Sequence, residues 1–211
     1  WKQALDTYAE IFQLTPESDE VRKSLERNAG RLSAWPQVIE TYDITLQENY
    51  NIDDMLRAQM LFELGLVYEE RQEDLEQARE TFQRIFEVDP TSEKAFNGLE
   101  RVNIRLEDRL ALADLYRQRA DVQLDPTKGI VWLESLAMLY EEVLEQPHEA
   151  IEVYNRISEL DLSHRGSQRM LEVLYKQTGR YQDLADLYRR LMATSLDEDY
   201  TIKMQYKLAH L

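Results

Sequence analysis

The 211-residue chain contains no cysteine, only six glycines and five prolines, and no long apolar stretch. The absence of cysteine excludes disulfide bonds and thiolate metal sites, and it leaves the redox compartment open. Every apolar run is interrupted by a charged residue well before the roughly 20 residues that a bilayer span requires, so membrane insertion is not expected. The low glycine and proline content, with charged residues at 31%, favours a mostly helical protein.

Basic residues are also few in comparison with acidic ones. The chain has 25 lysines and arginines against 41 aspartates and glutamates, which gives a formal net charge of −16. Proteins that bind nucleic acids usually concentrate positive charge on one surface, so a nucleic acid is not expected as a partner. An anionic membrane surface is disfavoured for the same reason. A basic protein partner, or solubility alone, accounts for the charge better.

The residue patterns of catalytic and cofactor sites are missing. His148, His164 and His210 lie far apart, and none of them has the spacing of a zinc ligand pair. Adjacent carboxylates, such as Asp53-Asp54, diverge by about 100° on a helix and do not converge as an acid–base pair must. The chain also lacks a glycine-rich phosphate loop and a nucleophile elbow. The sequence therefore predicts no enzymatic activity and no cofactor.

The chain repeats itself at an offset of 72 residues. Residues 60–90 align with residues 132–162 at twelve identical positions, and residues 112–117 recur unchanged as residues 184–189. A long self-match at one fixed offset is the signature of a repeat protein. In such proteins each helix pair has an apolar stripe that it cannot bury alone, and stacking on its neighbours creates a continuous core.

Helical periodicity and its interruptions divide the chain into repeats. The predicted repeats are 1–16 (partial), 17–52, 53–90, 91–126, 127–162, 163–196 and 197–211 (partial). They comprise about twelve helices and no strand. Residues 28–33, which contain Gly30, and residues 49–54 are predicted breaks, with Asp53 as a helix N-cap. In the first of these breaks the helical pattern can extend as far as Arg31. Because the first and last repeats are incomplete, we expect one continuous array that is a fragment of a longer chain.

The repeat at residues 53–90 shows the most regular order of large and small side chains. The residues that define this order are Leu61, Leu64, Gly65, Tyr68, Ala78, Phe82 and Pro90. They resemble the tetratricopeptide repeat family, with one extra residue in the turn. Repeats 17–50 and 91–126 fit loosely, because Glu26 and Glu100 stand where the family has a small residue. Alternating repeats of roughly 38 and 34 residues account for the 72-residue period.

The resemblance implies an all-α, tetratricopeptide-like α-solenoid of about six antiparallel helix pairs, wound into a right-handed superhelix. It further implies that the first helix of each pair lines a concave groove. By the family spacing, the partner-binding residues in this groove would be Phe62, Leu66, Glu69, Asn97, Arg101, Arg105, Glu134, Met138, Arg169 and Lys176. Glu70, Glu141, Glu142, Lys23 and Arg27 would extend these bands. The groove would alternate acidic and basic bands, which suits a mixed-charge segment with apolar anchors.

The groove residues also have a purely structural interpretation. Arg101 and Arg105 would then pair with neighbouring glutamates, such as Glu100 and Glu107, on a solvated face. The apolar members Phe62, Leu66 and Met138 would pack between repeats.

The function that the sequence predicts is a non-catalytic scaffold for protein–protein interaction, which binds an extended or helical segment in the groove. Two alternatives remain. One is a structural element that assembles with itself, and the other is the substrate-docking arm of a larger enzyme.

Overall fold

The computed structural model describes residues 1–48 and 52–211, and twelve α-helices make up most of this part of the chain. The helices are α1 Lys2–Leu14, α2 Asp19–Leu32, α3 Trp35–Glu48, α4 Asp54–Val67, α5 Leu75–Val88, α6 Glu93–Arg105, α7 Arg109–Asp121, α8 Pro126–Met138, α9 Pro147–Leu160, α10 Arg165–Gln177, α11 Tyr181–Thr194 and α12 Glu198–Ala209. No strand occurs within these described ranges. The all-α prediction and the number of helices are confirmed.

Two of the helices end in a wider turn. After α4 the chain forms a π-helical turn at Tyr68–Gln72, and after α8 it forms a second one at Leu139–Val143. A π-turn closes its hydrogen bonds over five residues instead of four, so it accommodates one extra residue in a helix. These turns lie in the predicted repeats 53–90 and 127–162, which contain the two segments that align at the 72-residue offset. The extra residue is therefore taken up by widening the last turn of the first helix.

Side-chain caps define where several helices begin. The Asp53 carboxylate accepts a hydrogen bond from the Leu56 amide at 2.7 Å, which confirms the predicted N-cap of α4. Asp74 and Ser92 cap α5 and α6 in the same way. The remainder of the predicted connection before Asp53 includes residues 49–51, which lie outside the described residues.

The break predicted at residues 28–33 lies at the last of these residues. Helix α2 continues through Gly30 to Leu32, and the chain turns at Ser33, which has a left-handed φ of 53°. The amide of Ala34 donates to the carbonyl of Ala29 at 3.0 Å, which closes the C-terminal end of the helix. Trp35 packs its ring against the helix at Gly30, so this glycine serves a side-chain contact rather than a turn.

The helices form two compact units. Unit 1 comprises Trp1–Asp108 and unit 2 comprises Arg109–Leu211. Within unit 1, α1 packs on α2 and α3, and α4 packs on α5 and α6. Within unit 2, each helix from α7 to α12 packs on the next along the chain. The boundaries of the individual repeats and the right-handed superhelix stay predictions.

The ring of Phe82 packs closely against two glycines in unit 1. Phe82 is fully buried on α5, between Gly65 on α4 and Gly98 on α6. A Cβ atom at Gly65 would lie 2.5 Å from the ring, and one at Gly98 would lie 2.8 Å from it. The ring therefore packs directly on the backbone of both neighbouring helices. Gly65 is the small residue of the family pattern in residues 53–90; in the next repeat Gly98, two positions before Glu100, contacts the ring.

Substituting either glycine by alanine is expected to destabilise unit 1. A methyl group at Gly65 or Gly98 would force the buried Phe82 ring to move, which should lower the free energy of unfolding by about 1–3 kcal/mol. Urea unfolding followed by circular dichroism measures this loss. Gly30→Ala is the matched control, because its Cβ would lie 3.5 Å from Trp35 in ordinary contact. That control should be neutral or slightly stabilising, and an equal loss in all three variants would contradict the packing argument.

A carboxylate on α10 holds the last three helices of unit 2 together. Glu172 accepts hydrogen bonds from Lys176 Nζ at 2.8 Å and from Lys207 Nζ, on α12, at 2.8 and 2.6 Å. Tyr188 on α11 donates a further hydrogen bond to it. Burial by itself raises the pKa of Glu172, but the hydrogen bonds from the two lysines and the tyrosine outweigh it and lower the pKa to about 2.

This carboxylate should make unit 2 sensitive to acid. Because the pKa of Glu172 is lower in the folded state, its stabilisation is complete above pH 4.5 and is lost as the pH falls towards 2. We compare the free energy of unfolding of the wild type with that of Glu172→Gln. The difference between them should be about 1–2 kcal/mol larger at pH 6 than at pH 2, a range that allows for solvent screening. Denaturant titrations at both pH values test this. Glu159→Gln, an exposed change on α9, should show no such pH dependence.

Candidate protein-binding surface

The residues predicted to bind a partner lie on α4, α6, α8 and α10, the first helices of four predicted repeats. We call their outward-facing side chains the first-helix surface of unit 1 (α4 with its π-turn, and α6) and of unit 2 (α8 with its π-turn, and α10). Among the predicted residues, Phe62, Leu66 and Glu134 are half-buried and Glu69 is buried. The exposed members are Asn97, Arg101, Arg105, Met138, Arg169 and Lys176.

Glu69, the second residue of the first π-turn, is only 4% exposed. Its carboxylate accepts two hydrogen bonds from Arg101, from Nε to Oε1 at 3.1 Å and from Nη2 to Oε2 at 2.8 Å. Arg105 Nη1 lies 3.5 Å from the same carboxylate and 3.4 Å from the Glu69 carbonyl oxygen. The hydrogen bonds to Glu69 raise the pKa of Arg101 above its ordinary value. This bidentate geometry is the strongest form of an arginine–carboxylate pair.

The acidic and basic bands predicted for unit 1 thus neutralise each other. The structural interpretation expects the two arginines to pair with glutamates such as Glu100 and Glu107. They do pair with a glutamate, but it is Glu69, in the π-turn that follows α4. Phe62 is likewise covered, because its ring lies 5.8 Å from the Phe82 ring and the Lys94 ammonium lies 5.4 Å from its centre. The role of these residues in binding a partner stays a prediction.

A second ionic contact in unit 1 has no counterpart in the predicted set. Arg22 on α2 places Nη1 3.0 Å from Glu63 on α4 and 3.7 Å from Glu26. The Tyr42 hydroxyl, on α3, donates to Glu26 at 3.3 Å. Burial raises the pKa of Glu26, and Arg22 opposes that shift. Glu26 stands at a small-residue position of the family, and this misfit was the only sign in the sequence that the cluster would form.

The first-helix surface of unit 2 is arranged differently, although its sequence is the 72-residue copy. Glu141, the equivalent of Glu69, accepts one hydrogen bond at Oε2 from the Tyr154 hydroxyl at 3.3 Å. Burial, followed by the nearby Glu141 charge, raises the pKa of Tyr154 to about 12. In the described part of the chain no lysine or arginine forms an ion pair with Glu141. Met138 and Val173 are 52% and 44% exposed.

A histidine lies at the edge of this surface. His164 Nδ1 accepts a hydrogen bond from the Ser167 amide at 3.1 Å and so caps α10. Its Nε2 lies 3.4 Å from Oε1 of Glu134 on α8. With Nδ1 accepting, Nε2 carries the hydrogen and faces the carboxylate.

The basic members of unit 2 lie on α10. Arg169 is exposed, and its Nε donates only to the Arg165 carbonyl at 3.2 Å. It lines an open cavity of about 460 Å³ between α10 and α12, together with Arg165 and Lys203. Lys176 is exposed and pairs with Glu172, as described above. Unit 2 therefore presents acidic and basic groups that its own contacts leave accessible.

Two sequence models of the same family match the chain. A tetratricopeptide repeat model matches residues 59–92, and a second one matches residues 169–199. The first match includes part of α4 and the second part of α10, which are first helices that carry the surface described above. These two segments of the chain are tetratricopeptide repeats. Tetratricopeptide repeats act in general as scaffolds for protein–protein interaction, and this general role applies to the chain.

Several solved structures are similar to the chain at low sequence identity. MamA is 16% identical, with a TM-score of 0.39 over 87% of this chain and 96% of its own. A tetratricopeptide repeat protein from Parabacteroides merdae is 12% identical, with a TM-score of 0.45 over 90% and 73%. Yeast Tom70 is 13% identical, with a TM-score of 0.38 over 98% of this chain and 42% of its own. No curated protein matches the sequence. These similarities are too low to imply a shared partner.

Membrane-spanning helices and clusters of metal-ligating side chains are both absent from residues 1–48 and 52–211. No helix there is both long enough and apolar enough to cross a membrane. In the same ranges, histidine, aspartate and glutamate side chains do not converge in groups of three that could hold a metal ion.

Charge reversal should lower the free energy of unfolding far more at Arg101, which pairs with the buried Glu69, than at Arg169. Arg101→Glu would place a carboxylate against Glu69 and should lower the free energy of unfolding by about 2–3 kcal/mol. Arg169→Glu, on an exposed site without a carboxylate partner, should change it by less than about 0.5 kcal/mol. Adding Glu69→Gln to Arg101→Glu should recover part of the loss. Equal effects of the two reversals, measured by urea unfolding, would contradict this account.

Proposed function

We propose that the chain is a non-catalytic scaffold that binds a segment of another protein on the first-helix surface of unit 2. The family assignment supports a protein-interaction role in general. The choice of this surface rests on the exposed side chains of α8 and α10, which contacts within unit 2 leave accessible.

The distribution of exposed apolar residues is the observation that carries the proposal. On α8 and α10, Val131, Met138 and Val173 are between 44% and 53% exposed, and all three lie within a helix or where it continues into the π-turn. On the second helices of unit 2, the exposed large apolar residues lie at the helix ends: Leu110, Leu160 and Tyr181. Apolar side chains amid charged groups are typical of the centre of a protein interface.

The charges around these residues indicate what kind of segment would fit. Glu134, Glu141 and Glu142 supply negative charge on α8 and its π-turn, whereas Arg169 and Lys176 supply positive charge on α10. A partner segment with both signs of charge and one or two apolar side chains would complement this surface. Electrostatic complementarity of this kind chiefly sets specificity and the rate of association.

Self-association is a second candidate, and one observation favours it. Helix α12 exposes Ile202 and Tyr206, although Met204 between them is buried. An exposed apolar pair on one helix is a contact that a second copy of the chain could cover. A docking role within a larger enzyme remains a third hypothesis, which a catalytic motif elsewhere in a longer chain would support.

Selection from a library of random linear peptides on the immobilised chain tests the proposal. A peptide that binds should lose about tenfold in affinity with Met138→Ser, because the change removes an apolar anchor from the interface. Leu110→Ser is the matched control, since it makes the same kind of change at an exposed leucine of α7. Light scattering of the free chain should show a monomer.

The opposite results would be informative. Equal loss of affinity in Met138→Ser and Leu110→Ser would show that the first-helix surface is not the binding site. A concentration-dependent oligomer that enriches no peptide, and that Ile202→Ser returns to a monomer, would replace the proposal by self-association.

A further inference from the structure

The two π-turns provide an internal comparison of one glutamate in two environments. Glu69 and Glu141 are related by the 72-residue offset, and each is close to the start of its π-turn. In unit 1 the carboxylate is saturated by guanidinium groups: Arg101 binds both of its oxygens, and Arg105 lies beside it. The fold of this turn is thus suited to present a carboxylate to an arginine.

The copy keeps the turn and the carboxylate but lacks both arginines. The offset places Val173 at the position of Arg101 and Gln177 at the position of Arg105. It also replaces Phe82 by Tyr154, whose hydroxyl donates to Oε2 of Glu141. One oxygen of Glu141 is therefore held in place by a buried tyrosine. The other oxygen has no hydrogen-bond donor among residues 1–48 and 52–211.

An exposed apolar surface accompanies this carboxylate. Met138 immediately precedes the second π-turn, and Val173 takes the place of the arginine that covers the first one. Both side chains are about half exposed, and Glu134 and Glu142 add negative charge on the same helix and turn. The surface thus combines a fixed carboxylate with apolar contacts where unit 1 has its own arginines.

We propose that this surface of unit 2 binds an arginine side chain of the partner segment, with an apolar residue next to that arginine. The proposal rests on the proposed function, and it specifies the chemistry of the partner. The partner's guanidinium takes the position that Arg101 takes in unit 1, and the neighbouring apolar side chain contacts Met138 and Val173.

Arginine fits this surface better than lysine for a geometric reason. A guanidinium presents a planar set of donors that can reach both oxygens of a carboxylate, whereas an ammonium acts as a point charge. The stem of an arginine is also apolar, so it can lie against Met138 or Val173 while its head pairs with Glu141. The net charge of −16 favours the approach of a basic segment.

Parallel peptide selections test the inference, on the wild-type chain and on the variant Val173→Arg/Gln177→Arg. The variant supplies its own guanidinium groups to Glu141 and so blocks the surface. Arginine next to an apolar residue should be enriched in the wild-type pool and not in the pool from the blocked variant. The best arginine peptide should bind about tenfold more weakly to Glu141→Gln, and also when its arginine is replaced by lysine. Glu159→Gln, an equal charge change on α9, should not affect it.

A measurement without any ligand checks the same site. Val173→Arg should raise the unfolding midpoint in the wild-type background and raise it less in the Glu141→Gln background, because the new guanidinium pairs with Glu141. Equal effects in the two backgrounds would overturn the proposal.

The outcomes separate this inference from the proposed function. Peptides that are enriched without arginine, or whose affinity is insensitive to Glu141→Gln, would overturn the arginine site and leave the scaffold intact. A wild-type chain that enriches no peptide would overturn both.

Discussion

The packing of unit 1 depends on one ring that is enclosed between two helix backbones. The Phe82 ring packs so closely on the backbone of Gly65 and Gly98 that a side chain at either position would collide with it. The ring on α5 therefore packs on both neighbouring helices, and α4, α5 and α6 form one packed group rather than separate pairs. A solenoid is stable only when each helix pair buries its apolar stripe on the next one, and this ring supplies that link.

The close approach of α4 and α6 also decides what the charged residues of unit 1 can do. Once the two helices are in contact, the widened turn at Tyr68–Gln72 brings Glu69 within reach of Arg101 and Arg105. A buried carboxylate is costly unless it is paired, so the arginines complete the fold there. In unit 2 the same turn carries Glu141, but the sequence offers it no arginine, and the tyrosine that replaces Phe82 holds only one of its oxygens. The two copies of the motif therefore differ in their surroundings: in the first the carboxylate is paired within unit 1, and in the second one of its oxygens has no donor among the described residues.

Much of the fold could be predicted from the sequence because the repeat pattern is local and redundant. The 72-residue self-match recurs over a whole repeat, and the cap at Asp53 depends on residues within one turn of a helix. The break predicted at residues 28–33 could not be placed on one residue, because a glycine in a helix can serve either a turn or a close side-chain contact. Only the position of Trp35 in the folded chain distinguishes the two. The family alignment places Glu100 at the small-residue position of its repeat. In the folded chain, however, the small residue that contacts the Phe82 ring is Gly98.

The sequence by itself determined the all-α repeat architecture and the number of helices, since these follow from helical periodicity. The tertiary structure decided which charged residues of the first helices are exposed and which are buried. Glu69 and Glu141 are equivalent in the sequence repeat, yet their surroundings are set by residues about 30 positions away on another helix. A contact between side chains on different helices depends on how closely those helices approach, and that distance is set by packing rather than by periodicity.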